Sequence, residues 1–156
     1  MMAATKRVYR TPIGQWSYVR ESAGAPRVAT RITDTWLARE ATKSHFAALP
    51  NTKQERFCVL TLDTKGHPLE WYVVHVGTLS SCHAQPADIF RPAILDGAAS
   101  IILAHNHPSG DPTPSSEDKQ VTDRMTDLGR MMGIQILDHI VYGDGTGLTI
   151  SIRDAS

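Results

Sequence analysis

Residues 98–104 constrain the fold most. They read Ala-Ala-Ser-Ile-Ile-Leu-Ala, apolar apart from Ser100 and rich in isoleucine. So short and apolar a run fits a central strand buried on both faces, which needs helices on both sides of its sheet. The chain must supply that cover, and 156 residues are enough for one domain with a sizeable core.

The flanking residues supply it. Asp34 is a plausible N-cap for a helix from Thr35 to about Ala48, with Trp36, Leu37, Ala41 and Ala48 as part of its apolar stripe and Pro50 beyond its end. Residues 57–63 read as a strand, 64–67 as a turn and 69–76 as the antiparallel return strand. Pro86 suits the first turn of a second helix, whose apolar face is Ile89, Phe90, Ala93 and Ile94. After the central strand comes a Pro/Gly-rich loop, 105–114. Ser115 then caps a helix that runs to about Met132 and ends at Gly133. Residues 134–137, 139–142 and 148–152 read as closing strands, with 143–147 as a plain hairpin turn. The expected fold is α/β in the α+β sense, a mixed sheet sandwiched by helices.

Residues 1–31 stand apart as a basic N-terminal arm, ahead of a domain over 32–156. They hold two β-like runs, 7–11 and 16–20, and a linker-like Gly24-Ala25-Pro26. Lys6, Arg7, Arg10 and Arg20 make the first 20 residues basic, with no acid among them. Over the whole chain 16 basic residues balance 16 acidic ones, which weighs against nucleic acid as the main partner. No apolar run reaches the ~20 residues of a membrane span, and no secretory leader is evident. The two cysteines, Cys58 and Cys82, form no CxxC pair. Cys58 reads as a core residue and Cys82, beside His83, as a loop thiol, so a reducing cytoplasm is expected.

The chemistry lies in His105-Asn106-His107-Pro108-Ser109-Gly110, followed by Ser115 and Asp118. In extended chain, residues two apart point to the same side, ~6.6 Å apart along the backbone. Two imidazoles can converge from there on one ion. Asp118, in the first turn of the next helix, can close the same site, although Ser115 and Asp118 also fit a capping box. Two imidazoles and a carboxylate leave a fourth position open for water, as in catalytic rather than structural zinc sites. A hydrolase would also need a general base. Glu55, Glu70 and Glu117 are the acids to consider, and spacing alone does not choose among them.

These residues resemble the JAMM (MPN+, or JAB) metalloprotease motif, HxHPxG followed by S-x-x-D, and more narrowly its bacterial RadC type. Glu55-Arg56-Phe57, the turn at 62–66, Gly77-Thr78 and Leu137-Asp138-His139-Ile140-Val141 agree, so the resemblance runs from about residue 33 to 153. It implies a JAMM/MPN, cytidine-deaminase-like architecture and a Zn2+ ion on His105, His107 and Asp118. It implies Ser115 as a stabiliser of the oxyanion and Glu55 as general base, with Glu70 in reserve. It implies an outer supporting role for Asp138 and His139. Where RadC-type members usually read His-Pro-Arg-Glu, this chain reads Gln85-Pro86-Ala87-Asp88.

The expected activity is metal-dependent hydrolysis of a peptide or isopeptide bond in a peptide or protein substrate. Two alternatives stand beside it. One is a DNA-associated, RadC-like protein or metal-dependent nuclease, although HNH nucleases spread their His-Asn-His across a ββα unit. The other is an inactive scaffold. A zinc deaminase is excluded, because there is no H-x-E with P-C-x-x-C. Substrate, oligomeric state and biological process have no signature in the sequence.

Overall fold

A computed structural model describes residues 30–50, 53–77 and 85–155, together with the backbone of two N-terminal strands. The elements are β1 (Val8–Arg10), β2 (Ser17–Arg20), α1 (Thr35–Ala48), β3 (Arg56–Leu62), β4 (Pro68–Val76), α2 (Pro86–Asp96), β5 (Ser100–His107), α3 (Ser116–Met132), β6 (Gln135–Gly143) and β7 (Thr149–Ser151). Among the described residues, seven strands form one sheet in the order β1-β2-β4-β3-β5-β6-β7. Of these described strands only β5 and β6 pair in parallel, joined through α3; the other pairs are antiparallel. The fold is the expected helix-covered mixed sheet. Cys82, His83, the 24–26 segment and the side chains of the basic arm lie outside the described residues.

Strand alternation sorts the core into two layers. Phe57 and Val59 of β3, with Ile101 and Leu103 of β5, pack under Ile89, Phe90 and Ala93 of α2 and Val121 and Met125 of α3. Cys58, Leu60 and Leu62, with Ile102 and Ala104, face the other way and meet Ala38, Ala41 and Phe46 of α1. The sheet is thus sandwiched, with α2 and α3 on one face and α1 on the other.

Four expectations need correction. The buried stripe of α1 is Ala38, Ala41, Thr42, His45 and Phe46. Trp36 is 66% exposed and Ala48 is exposed, because the face that packs on the sheet centres on Ala38, Ala41 and Phe46, and helical spacing puts Trp36 opposite it and Ala48 beyond its edge. Ile94 is likewise turned outward on α2. The central strand is offset from the apolar run. Gly97 closes α2 in the left-handed region (φ 63°), the Ala98 amide bonds back to Ala93, and β5 starts at Ser100 and carries through His107. The strands expected at 134–137 and 139–142 are one strand, β6. Its register against β5 shifts between Ile101 and Ile102, so Ile101 opposes Ile136 and Ile102 opposes Asp138. Leu137 is the extra residue.

His45 is 97% buried, stacks on Trp71 at 4.2 Å, and has no hydrogen-bond partner at either ring nitrogen. Burial first, and Arg56 second, lower its pKa from 6.5 to about 4. The unfolded chain therefore binds more protons between these values, and stability present above about pH 6.5 is lost as pH falls toward 4. His45→Phe keeps a ring on Trp71 and removes that titration. Its melting temperature relative to wild type should rise progressively as pH drops from 6.5 to 4, measured by circular dichroism.

Candidate metal centre

His105 and His107 stand two apart on β5 and share the face covered by α2 and α3, while Asn106 turns to the other. The Nε2 atoms of the two histidines are 3.0 Å apart. Asp118 reaches them from the first turn of α3, its Oδ1 3.2 Å from His105 Nε2 and its Oδ2 3.5 Å from His107 Nε2. The Ser115 hydroxyl accepts the Asp118 amide (3.1 Å), and Asp118 Oδ2 accepts the Ser115 amide (2.8 Å). The capping box and the ligand role thus coexist, since capping fixes the rotamer that aims the carboxylate.

These three residues could hold a metal ion, their donor atoms lying within 4.8 Å of one another. A tetrahedral ion with bonds of ~2.0–2.1 Å has ligand–ligand edges of about 3.3 Å. The distances of 3.0, 3.2 and 3.5 Å straddle that length, though the last two involve different oxygens of the carboxylate. The donor set, two nitrogens and an oxygen, suits a borderline cation.

The outer nitrogens are also engaged. His107 Nδ1 lies 2.8 Å from the Asp111 carbonyl, which can only accept, so His107 carries a proton there and Nε2 is the nitrogen that faces His105 and Asp118. His105 Nδ1 lies 2.8 Å from His139 Nε2, and His139 Nδ1 lies 2.6 Å from the Thr122 hydroxyl. Asp138, its neighbour, points elsewhere. Its Oδ1 accepts the His139 amide and the Ser151 hydroxyl, and it lines a cavity at the far end of the sheet near the start of α1.

Charge is balanced within the trio. Burial alone would raise the Asp118 pKa, but hydrogen bonds from His105 and His107 outweigh it and hold the carboxyl well below the usual range. The same contact raises His107 above 6.5, with Asp118 as its largest cause and the charge of Glu55 a smaller one. His139 is fully buried and desolvation holds it neutral, well below 6.5.

Glu55 precedes β3. Phe57 opposes His105 across the β3–β5 pair, so the same register continued brings Glu55 opposite His107. Glu70 does not approach. It opposes Thr61, which in turn opposes Ile101, four residues before His105 and roughly 13 Å along the strand. Glu117 is exposed. Its own backbone amide and the Ser116 hydroxyl hold its pKa below 4.5.

Several residues that brace the site had no signal in the motif. The Asn106 side chain bonds the Arg56 amide, the Gln54 carbonyl and Asp144 Oδ2, tying β5 to the segment that carries Glu55. The loop after His107 rests on the β6–β7 turn. The Thr146 hydroxyl donates to the Gly110 carbonyl (2.9 Å) and the Asp144 amide to the His107 carbonyl (3.1 Å). Gly143 lies so close to the Gly110 carbonyl that a Cβ would collide with backbone. The 143–147 turn is therefore a buttress as well as a hairpin turn, and the prolines stand on a stiff rim.

A family model described as RadC-like JAB domain matches residues 33–156. The chain belongs to the RadC-like JAB domain family. It is similar to several UPF0758 proteins. It is 46% identical over 102 residues to one from Methanosarcina acetivorans, covering 65% of this chain and 44% of that one. It is 40% identical over 124 residues to one from Syntrophotalea carbinolica, covering 79% and 55%. It is 50% identical over 91 residues to one from Bacillus pumilus, covering 58% and 41%. The chain thus spans about half the length of the curated relatives it matches. No helix among the described residues is long and apolar enough to cross a membrane.

Two outcomes are expected. Gly143→Ala forces the loop off its buttress and should cost about 1–3 kcal/mol in urea unfolding. Asp118→Asn removes the main support of the raised His107 pKa, which should fall back toward 6.5 in an NMR titration of metal-free protein. Because the folded-state pKa of His107 is raised, the contact contributes stability that is complete below about pH 6.5 and is lost as pH rises through the folded value. Asp118→Asn should also flatten that part of the profile.

Proposed function

We propose that this chain is a zinc-dependent hydrolase that cleaves an amide bond, peptide or isopeptide, in a peptide or protein substrate. The observation that carries the reading is the convergence of His105 Nε2, His107 Nε2 and the Asp118 carboxylate at tetrahedral-edge distances. When bound there, zinc would supply Lewis acidity, polarising a carbonyl and bringing the pKa of a water down to ~7.

The residues around the trio then have definite tasks. Glu55, just ahead of the neighbouring strand and close enough for its charge to act on His107, accepts the water proton on its carboxylate and passes it to the leaving amine. Ser115 accepts the Asp118 amide through its oxygen, and its hydroxyl proton, which also serves the Glu117 carboxylate, would turn to a developing oxyanion. Asp118 and the two histidines would hold the ion.

Purified without added metal, the wild type should carry about one zinc per chain by elemental analysis, and His107→Ala should carry almost none. Glu55→Gln should keep its zinc and lose hydrolysis by at least about 100-fold on a panel of peptides and lysine isopeptides. A wild type that takes up no zinc, even after refilling, would sink the hydrolase reading. A Glu55→Gln variant with full activity would move the base elsewhere.

A further inference from the structure

The alternation that turns His105 and His107 to one face of β5 sends Asn106 to the other, where it is 4% exposed. Its side-chain oxygen accepts the Arg56 amide (2.7 Å), and its nitrogen donates to the Gln54 carbonyl (3.0 Å) and to Asp144 Oδ2 (2.7 Å). The two backbone groups it holds flank a single residue, Glu55, which stands one place ahead of β3.

We propose that Asn106 is the positioning residue for Glu55: its side-chain amide stands in for a strand partner on either side of that residue and so holds the Glu55 carboxylate on the face of the ion site. In extended chain, a carbonyl and the amide two residues later project to the same edge. Backbone groups of a neighbouring strand would ordinarily meet such a pair. Here one primary amide does so, carrying the same acceptor and donor as a peptide group. On the opposite edge the Glu55 carbonyl accepts the Gly77 amide (2.8 Å), so the chain at Glu55 is tied on both sides. Phe57, two residues on, packs under α2 and α3, and residues two apart in extended chain share a face. That is the face of His105 and His107, and the charge of Glu55 acts on His107.

Asp144 decides which way the amide points. The Gln54 carbonyl and the Asp144 carboxylate are both acceptors, so both call for the Asn106 nitrogen, and the reversed amide would set its oxygen against them. Asp144 belongs to the β6–β7 turn, and its own amide holds the His107 carbonyl (3.1 Å). One turn therefore braces the strand end that carries the histidines and, through Asn106, the segment that carries the proposed base.

The inference rests on the hydrolase reading, since it names what holds that reading's base, but its tests separate the two. By hydrogen exchange on metal-free protein, the Arg56 amide should be protected in the wild type and lose that protection in Asn106→Ala, with Val59 and Leu103 still protected. Against a substrate that the wild type cleaves, Asn106→Ala should lose about 10–100-fold in kcat with KM and zinc content unchanged. In the Glu55→Gln background the same substitution should cost nothing further, because the carboxylate it positions is already gone. If circular dichroism finds Asn106→Ala unfolded, the same cycle on Asp144→Ala decides, with a smaller kcat loss that also vanishes beside Glu55→Gln. An unprotected Arg56 amide in the wild type, an unchanged kcat, or losses that multiply with that of Glu55→Gln overturn the inference and leave the hydrolase reading standing. A wild type that binds no zinc and cleaves nothing removes that reading, and the inference falls with it.

Discussion

Strand β5 is hydrogen-bonded along both edges and packed on both faces, and the candidate centre depends on its register. Phe57 beside His105 on one edge and Val141 on the other set which residues face α2 and α3. A slip of one residue would send both histidines to the α1 layer and bring Asn106 into the site. The apolar alternation Ile101, Leu103 against Ile102, Ala104 prevents that slip, because each set fills a different core. The two ligand histidines are thus the polar continuation of a buried apolar row.

The second constraint is a buried carboxylate. Asp118 is 96% buried, a position where an unpaired charge is strongly unfavourable. It is tolerated because two imidazoles and the Ser115 amide face it. The capping box does more here than end a helix. It aims the carboxylate, and the N-terminus of α3 adds a favourable field for negative charge. Packing, capping and a metal-ready geometry are one arrangement at this point.

Around the trio the structure provides rigid support from separate elements. The β6–β7 turn holds the loop after His107, and the Asn106 side chain holds the segment before β3. On β6 the register shift at Leu137 has a further effect. It reverses the strand's alternation, so that His139 falls on the same face as His105 instead of the opposite one. Without that extra residue, β6 would present a different side chain behind the ligand.

The sequence alone established the element order, the helix caps at Asp34 and Ser115, and the metal-ligand pattern, because these are local. Two residues apart on a strand share a side, and a side chain three residues before an amide can cap it, whatever the rest of the chain does. The exact buried stripe of α1, the merging of two strands into β6 and the start of β5 at Ser100 were not legible, since each depends on a partner distant in sequence. The same holds for Glu55 and Glu70: the pairing of β4, β3 and β5 leaves Glu70 roughly 13 Å along the strand from His105, while the charge of Glu55 reaches His107. Thr122, His139 and Gly143 meet their partners only across helix, strand and turn. Local chemistry therefore fixed which atoms could hold an ion, and tertiary register decided which other residues hold those atoms in place.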